Sequence, residues 1–299
     1  MQIQYQRAIA QKKLILLYCF YKMNDIQSIF KEVDMEIIAR FKSGIIGASD
    51  SFYMIWKHLI LLTYFGIATI IKIIVTLWTT THSWYAYSPI VHFFIIHLPS
   101  QCVLVPLSVI AQITLAHHVA HIWERTDTTV YQSFRIILRK WQPVLLWSGV
   151  SILVTLLYKE TSFTQQHPPL ELSFGILGLI WTLLTLFVPI LIALEAESPL
   201  EYLSSSIIIV RNYLFKIMGG LFWIALIFLI CIVPFNGLWL IAKIVPRLYY
   251  SFGFMALINA LELCLQGVIS SACTVFKTIV YLQHKKGVDE LEQLRYPRM

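Results

Sequence analysis

The hydrophobic and polar positions of this chain fall into long blocks, in which apolar runs alternate with short segments that hold most of the charged residues. A hydrocarbon core of about 30 Å needs roughly 20 apolar residues in a helix, and six runs reach or approach that length. They cover residues 58–78, 97–122, 142–158, 172–194, 217–242 and 253–276. The pattern predicts an all-α integral membrane protein with six transmembrane helices.

Shorter segments between these runs mix apolar and basic residues at helical spacing. Residues 25–42 place apolar side chains on one helical face and charged side chains between them, which is typical of a helix lying in the membrane interface. Related phrases begin at three serines and read SFYMIWKHLILLTYFG from Ser51, SFRIILRKWQPVLLWSG from Ser133 and SIIIVRNYLFKIMGG from Ser206. We therefore expect three cytoplasmic amphipathic helices and a threefold parallel repeat of helix hairpins about an axis along the membrane normal.

The same pattern predicts how the chain is divided. We expect a single six-helix membrane domain over residues 25–285, an N-terminal extension over 1–24 and a cytoplasmic tail over 286–299. Two breaks are predicted inside the domain. One lies at the glycines Gly44–Gly47, and the other at Pro234, which should kink or interrupt the fifth crossing.

Composition and charge add an orientation to this picture. The chain is 58% hydrophobic and 13% charged, whereas soluble domains carry about 25% charged residues. Of its 23 lysines and arginines, 19 lie before the first crossing or after the second, fourth and sixth. Because cytoplasmic loops carry the positive excess, both termini are predicted to be cytoplasmic. The net charge of +7 then indicates contact with anionic membrane lipids and not with nucleic acid.

One stretch, residues 180–220, carries a likeness to known proteins. It reads IWTLLTLFVPILIALEAESPLEYLSSSIIIVRNYLFKIMGG. A crossing that ends in proline is followed by an acidic residue, a second proline, a serine and an arginine before an aromatic residue. These slots are filled by Pro189, Glu195, Pro199, Ser206 and Arg211.

This stretch resembles a family of uncharacterised bacterial six-helix membrane proteins and is similar to the membrane domain attached to some glycerophosphodiester phosphodiesterases. The resemblance covers roughly residues 40–285. It implies a fold and a place in the bacterial cytoplasmic (inner) membrane. It implies no catalytic residue, because the phosphodiesterase activity belongs to a separate soluble barrel.

Three histidines and a glutamate lie at the end of the second crossing, in the sequence AHHVAHIWE over residues 116–124. His117 and His121 are four residues apart and share a helical face. They can hold a transition metal if a third ligand is added, and Glu195 can supply it if the second and fourth crossings are neighbours. The simpler interpretation, which we favour, is a membrane boundary at which imidazoles meet lipid headgroups.

A stripe of polar residues follows one face of the sixth crossing. Its members are three or four residues apart and are Asn259, Glu262, Gln266, Ser270, Cys273 and Lys277. Glu262 should lie near mid-bilayer, where an ionisable residue is by default a functional candidate, and Lys72 of the first crossing is expected to pair with it. The stripe can instead join helices through polar contacts, and we favour that interpretation over a transport pathway.

These patterns lead to three hypotheses for function. The sequence has no G-x-S-x-G elbow, P-loop or dinucleotide fingerprint, so we expect no enzyme activity and no cofactor. The favoured hypothesis is a scaffold or accessory subunit of unknown process, whose basic amphipathic helices contact anionic lipid, a cytoplasmic protein or a second copy of the chain. The alternatives are a small-solute or ion permease that uses Lys72 and the polar stripe, and a metal-binding membrane protein that uses His117 and His121.

Overall fold

The fold is known from a computed structural model that describes residues 35–82, 98–159, 168–195, 198–244 and 252–286. Helices account for nearly all of these residues, and no strand occurs among them. In chain order they are α1 (35–57), α2 (Leu62–His82, after a 3-10 turn at Leu59–Leu61), α3 (Leu98–Trp123), α4 (Val130–Arg139), α5 (Trp141–Lys159), α6 (Pro168–Leu184), α7 (Val188–Leu194), α8 (Pro199–Ile244) and α9 (Phe252–Lys286). The all-α prediction is confirmed, whereas the extension at 1–24 and the tail beyond Lys286 lie outside the described residues.

Several of these helices have the length and composition of membrane spans. In the described part of the chain, five segments are long and apolar enough to cross a membrane: Leu59–Thr79, Leu98–Trp123, Ile176–Leu194, Pro199–Phe235 and Ala256–Lys286. The apolar part of α5, Trp141–Leu156, is shorter. The structure therefore has the helices of a multi-pass membrane protein, and the remaining crossing, expected at 142–158, stays a prediction.

Helices α3 and α9 form the centre of the bundle. α3 packs against α2, α4, α5, α7 and α9, and α9 also packs against α2, α7 and α8. Fully buried apolar side chains join them in two clusters, one around Ile113, Ile190 and Phe276 and the other around Leu61 and Leu115. Many large apolar side chains face outward, as suits a protein in contact with lipid, and examples are Ile70, Leu153, Leu179 and Ile230.

The break predicted at Gly44–Gly47 is wrong, because α1 runs through both glycines. The absence of a side chain serves a close approach of two helices. A Cβ atom on Gly44 would overlap the backbone carbonyl of Lys216, and one on Gly219 would overlap that of Phe41. Small residues bring helix backbones together in this way in many membrane proteins, so these glycines set the crossing of α1 and α8.

Helix α8 joins two segments that the sequence pattern separates. The surface segment that follows Ser206 and the fifth crossing form one helix of 46 residues. Its backbone angles leave the helical region at Tyr213, whereas the helix continues through Pro234. The helix is therefore not interrupted at Pro234, and the kink that the sequence also allows there stays a prediction.

The fourth crossing is divided instead, into α6 and α7, by a turn at residues 185–187. The hydroxyl of Ser206 bridges this turn: it donates to the Leu184 carbonyl oxygen at 2.7 Å and accepts from the Phe187 amide at 3.2 Å. Backbone groups released inside a membrane protein need such partners. A fully buried serine on α8 therefore compensates the break between α6 and α7.

All three serines that mark the expected repeat are fully buried, at 0% exposure. Ser133 contacts the preceding helix α3, and Ser206 contacts the preceding α6 and α7. Ser51 donates to the Gly47 carbonyl oxygen of its own helix. These positions share burial, but the repeat and the three surface helices stay predictions.

Candidate functional site

An open cavity of about 640 Å³ lies between α2, α3, α5, α6, α7 and α9. Its volume falls in the range of about 300–1,000 Å³ that is common for small-molecule sites. We call it the central cavity. The polar side chains in its wall are Thr69, Lys72, Gln101, Ser108, Gln112, Ser151, Thr155, Thr182, Thr185, Gln266, Ser270 and Lys277. Four of the five segments that can cross a membrane contribute to it.

Lys72 reaches the central cavity from α2 and binds the polar stripe of α9. Its ammonium group donates to Gln266 Oε1 at 2.8 Å, and the Gln266 amide group donates to Glu262 Oε1 at 3.2 Å. The structure therefore brings together three of the predicted site residues, with Gln266 placed between Lys72 and Glu262. Glu262 and Asn259 are half-buried, lie nearer the start of α9 and are not part of the cavity wall.

Lys277 belongs to the same wall, about three turns further along α9. Its side chain is only 8% exposed. The ammonium group donates to Gln112 Oε1 at 3.3 Å, and the Gln112 amide donates to Ser108 Oγ at 3.4 Å. No carboxylate of the described residues forms an ion pair with Lys277. A buried charge with amide partners alone is costly, so Lys277 is the most unusual group in the cavity.

The charge of the cavity wall is one-sided. Lys72 and Lys277 both contribute to it, whereas no aspartate or glutamate of the described residues does. The remaining polar groups are three glutamines and several hydroxyls, which donate as well as accept hydrogen bonds. The wall therefore offers positive charge and donors to any solute that enters it.

Two tryptophans supply a flat apolar part of the wall. The rings of Trp147 on α5 and Trp181 on α6 are stacked, with centroids 6.1 Å apart and planes 16° apart. Ser151 and Thr182 flank them in the wall. The cavity thus combines an aromatic surface with charged and polar groups.

The histidines form a separate cluster on α3. His118 Nδ1 lies 2.8 Å from the Tyr64 hydroxyl, and His117 Nδ1 lies 3.3 Å from Ser133 Oγ. The Nε2 atoms of His117 and His121 are 3.3 Å apart. These contacts connect α3 to α2 and α4.

A second, smaller cavity of about 370 Å³ adjoins this cluster. His117, His121 and Glu124 of α3 line it together with Lys140 and Lys285. Helices α3 and α7 are neighbours, as a metal site completed by the fourth crossing would require. The surrounding lysines make this cavity a poor place for a further cation.

Glu195, the third ligand proposed for a metal, is bound by other groups. Its carboxylate accepts hydrogen bonds from the Tyr281 hydroxyl and from Lys285 Nζ, the latter at 2.8 Å. Within the described ranges, no group of three or more His, Cys, Asp and Glu side chains has the arrangement to hold a metal ion. The structure therefore does not bring Glu195 together with His117 and His121.

Two lysines bind the end of α7 at this point, Lys140 from just before α5 and Lys285 from α9. Lys140 Nζ donates to the carbonyl oxygens of Ile192 and Ala193, at 2.7 and 3.3 Å, and to that of Glu195. Burial lowers the pKa of the Lys140 amine, although the Glu195 charge opposes this change. Burial raises the pKa of the Glu195 carboxyl, but hydrogen bonds from Lys285 and Tyr281 and the charges of both lysines outweigh it, so that this pKa is lowered overall.

Sequence reasoning found the α9 side of the central cavity and missed most of the opposite wall. Gln101, Ser108 and Gln112 share one face of α3, and this spacing is the signal that would have found them. The hydroxyls of α5 and α6 carry no comparable pattern. Lys277 was counted with the cytoplasmic charges, although the structure buries it in the cavity wall.

Comparisons of the chain with family models, with curated protein sequences and with solved structures gave no match. The resemblance to six-helix bacterial membrane proteins stays a prediction. The candidate site is therefore interpreted from its geometry.

Proposed function

We propose that this protein is a permease that binds a small solute in the central cavity. This is the first alternative to the scaffold hypothesis that the sequence pattern favours. The observation that carries it is a cavity of about 640 Å³, lined by amides, hydroxyls and two lysines, between helices that can cross a membrane.

The open volume distinguishes a binding site from polar groups that only join helices. Polar side chains that join helices bond directly across the contact, and each contributes about 0.6 kcal/mol on average. Direct contacts of this kind do not produce a space large enough for a ligand. Ionisable groups at membrane depth commonly mark substrate or ion pathways, and Lys72 and Lys277 both contribute to this wall.

The proposal includes a topology of six crossings. α5 contributes Trp147, Ser151 and Thr155 to the cavity wall, so a sixth crossing there would complete the enclosure. Its short apolar part, Trp141–Leu156, begins directly after Lys140. With six crossings both termini lie on one side, and the lysine and arginine distribution favours the cytoplasm as that side. The location in the inner membrane of a bacterial cell, which the resemblance implies, is part of the same proposal.

The scaffold hypothesis keeps one specific observation in its favour. On α4, the side chains of Tyr131 and Leu138 are 75% and 76% exposed, and Arg135 and Arg139 lie on the same short helix. Such a helix suits the surface of an anionic membrane. Contact with lipid through α4 is compatible with transport through the bundle.

Thiol labelling tests whether water reaches the central cavity. Two single-cysteine variants lie on α9: one carries Ser270→Cys in the cavity wall, and the other retains Cys264, which is exposed on the outer surface of the bundle. In vesicles, we expect a membrane-impermeant methanethiosulfonate to modify the cysteine at 270 and not Cys264, because that reagent reacts with hydrated thiols.

A transport assay completes the test. Vesicles with and without the protein are placed in iso-osmotic glycerol, glycine and sodium acetate, and swelling is followed by stopped-flow light scattering. We expect the protein to accelerate entry of at least one solute. An unreactive cysteine at 270, together with swelling rates equal to those of empty vesicles for all three solutes, would show that the protein is not a permease.

A further inference from the structure

We propose that the solute bound in the central cavity is a small organic anion, whose carboxylate is held by Lys277 and whose apolar part lies against Trp147 and Trp181. This inference rests on the permease function and names its substrate class. It follows from the charge of the wall, the donors beside Lys277 and the position of the tryptophans.

The charge of the wall is the first step. Lys277 is 8% exposed, and its ammonium group contacts the neutral amide of Gln112 at 3.3 Å. Among the described residues that line the cavity, no aspartate or glutamate offsets it. Two charges attract more strongly in a low-dielectric interior than in water. An anion entering the cavity therefore supplies a countercharge to Lys277, whereas a cation meets repulsion from it.

The donors beside Lys277 are the second step. Gln112 and Ser108 of α3 form a hydrogen-bonded group with Lys277, and Ser270 lies about two turns before it on α9. An ammonium group with amide and hydroxyl donors suits a carboxylate, because an ionised carboxylate accepts through both oxygens. Hydrogen bonds to ionised groups are also roughly twice as strong as those between neutral groups.

The apolar surface is the third step. Lys140 immediately precedes α5 and bonds the end of α7, while Lys285 near the end of α9 bonds Glu195. The start of α5 and the end of α9 therefore lie at one end of the bundle. Trp147, on the second turn of α5, is then on the same side of the cavity as Lys277. A carboxylate at Lys277 leaves the rest of the molecule beside the stacked indoles.

The central experiment compares three solutes of one shape and different charge. Sodium benzoate, benzyl alcohol and benzylamine hydrochloride are added to the purified full-length protein in neutral detergent, at equal ionic strength. Binding is measured as the rise in unfolding temperature with solute concentration, since a ligand stabilises the state that it binds. We expect benzoate to stabilise the protein at concentrations at least about tenfold lower than the other two compounds.

Two lysine variants identify the binding group. Lys277→Gln removes the charge from the cavity, and we expect it to raise the benzoate concentration that is needed by about tenfold or more. Lys216→Gln is the matched control, because Lys216 is also buried, at 2% exposure, but bonds Gln283 away from the cavity. We expect this control to bind benzoate as the wild type does. Lys277→Arg keeps the charge and should retain the preference for benzoate.

The outcomes separate this inference from the permease function. If benzoate does not stabilise the wild type, or benzylamine or benzyl alcohol is equally effective, the inference is overturned whether or not the variants fold. Unchanged benzoate binding in Lys277→Gln also overturns it. In each of these cases, labelling at Ser270→Cys and the swelling assay still report on the permease function, because labelling needs no solute and the swelling assay includes neutral and zwitterionic solutes as well as an anion.

Discussion

Glu195 and Lys140 act together at the end of α7. Lys140 donates to carbonyl oxygens of the last turn, which have no partner within the helix, and Glu195 ties the same end to Lys285 of α9. The positive group near the helix C-terminus also interacts favourably with the helix dipole. The acidic segment at Glu195 thus connects the end of α7 to the start of α5 and to the end of α9.

Replacing Glu195 by Gln should remove an acid-sensitive part of the stability. The pKa of the Glu195 carboxyl is lowered in the folded protein, so its stabilisation is present above the ordinary value of 4.5 and is lost as the pH falls through the lowered pKa. At neutral pH we expect a cost of about 1 kcal/mol, because Lys285 is half exposed.

The measurement is thermal unfolding of both proteins in detergent between about pH 7 and pH 3, where the carboxyl titrates. The gap between wild type and Glu195→Gln should narrow as the pH falls. Glu36→Gln is the control, because Glu36 pairs with Arg40 on the exposed start of α1 and such pairs contribute little. A constant gap over this range would contradict the assignment.

At the level of helices, glycine positions set how closely α1, α8 and α9 approach. A Cβ atom on Gly220 of α8 would overlap the ring of Phe276 on α9, and Phe276 is fully buried. By contrast, a Cβ atom on Gly66 of α2 would meet no atom within 4 Å. Glycines that look equivalent in an apolar sequence therefore have different roles.

Gly220→Ala and Gly66→Ala should change stability in opposite directions. We expect Gly220→Ala to destabilise the protein by about 1–3 kcal/mol, the usual cost of overpacking. Gly66→Ala should stabilise it by about 0.5–1 kcal/mol, since alanine favours the helix. Thermal unfolding in detergent measures both changes, and equal shifts for the two variants would show that α8 and α9 do not meet at Gly220.

For the whole molecule, the number of crossings determines where the two chain ends lie. Five crossings would place the termini on opposite sides of the membrane, and a sixth crossing at α5 would place them on the same side. The lysine and arginine distribution favours the second arrangement. Whether α5 crosses the membrane also decides whether its part of the central cavity wall lies within the membrane or outside it.

Reporter fusions separate these topologies. With six crossings, alkaline phosphatase should be active when fused after residue 163, between α5 and α6, and inactive when fused after residue 127 or at the C-terminus. Green fluorescent protein at the C-terminus should be fluorescent, since it folds in the cytoplasm. Active phosphatase at the C-terminus would exclude six crossings with a cytoplasmic N-terminus.

Much of the helix layout was predictable from the chain. The expected crossing at 97–122 matches α3 to within one residue at both ends, and the one at 253–276 begins within one residue of α9, which continues to Lys286. The continuity of α1 through Gly44 was not predictable, because a glycine at a break and a glycine at a close helix contact look alike in sequence. The division of the fourth crossing was missed because its compensating hydroxyl, Ser206, comes from another helix.

Local sequence was sufficient for the helices, their membrane character and the polar face of α9, because hydrophobicity and periodicity depend on neighbouring residues along one chain segment. The pair of Lys72 and Glu262 was predicted only from their similar expected depth in the membrane. The central cavity, the insertion of Gln266 between those residues and the burial of Lys277 beside Gln112 depend on how helices rotate and pack against one another. Contacts between residues far apart in sequence leave no pattern in a single chain, so the packed bundle was needed to find them.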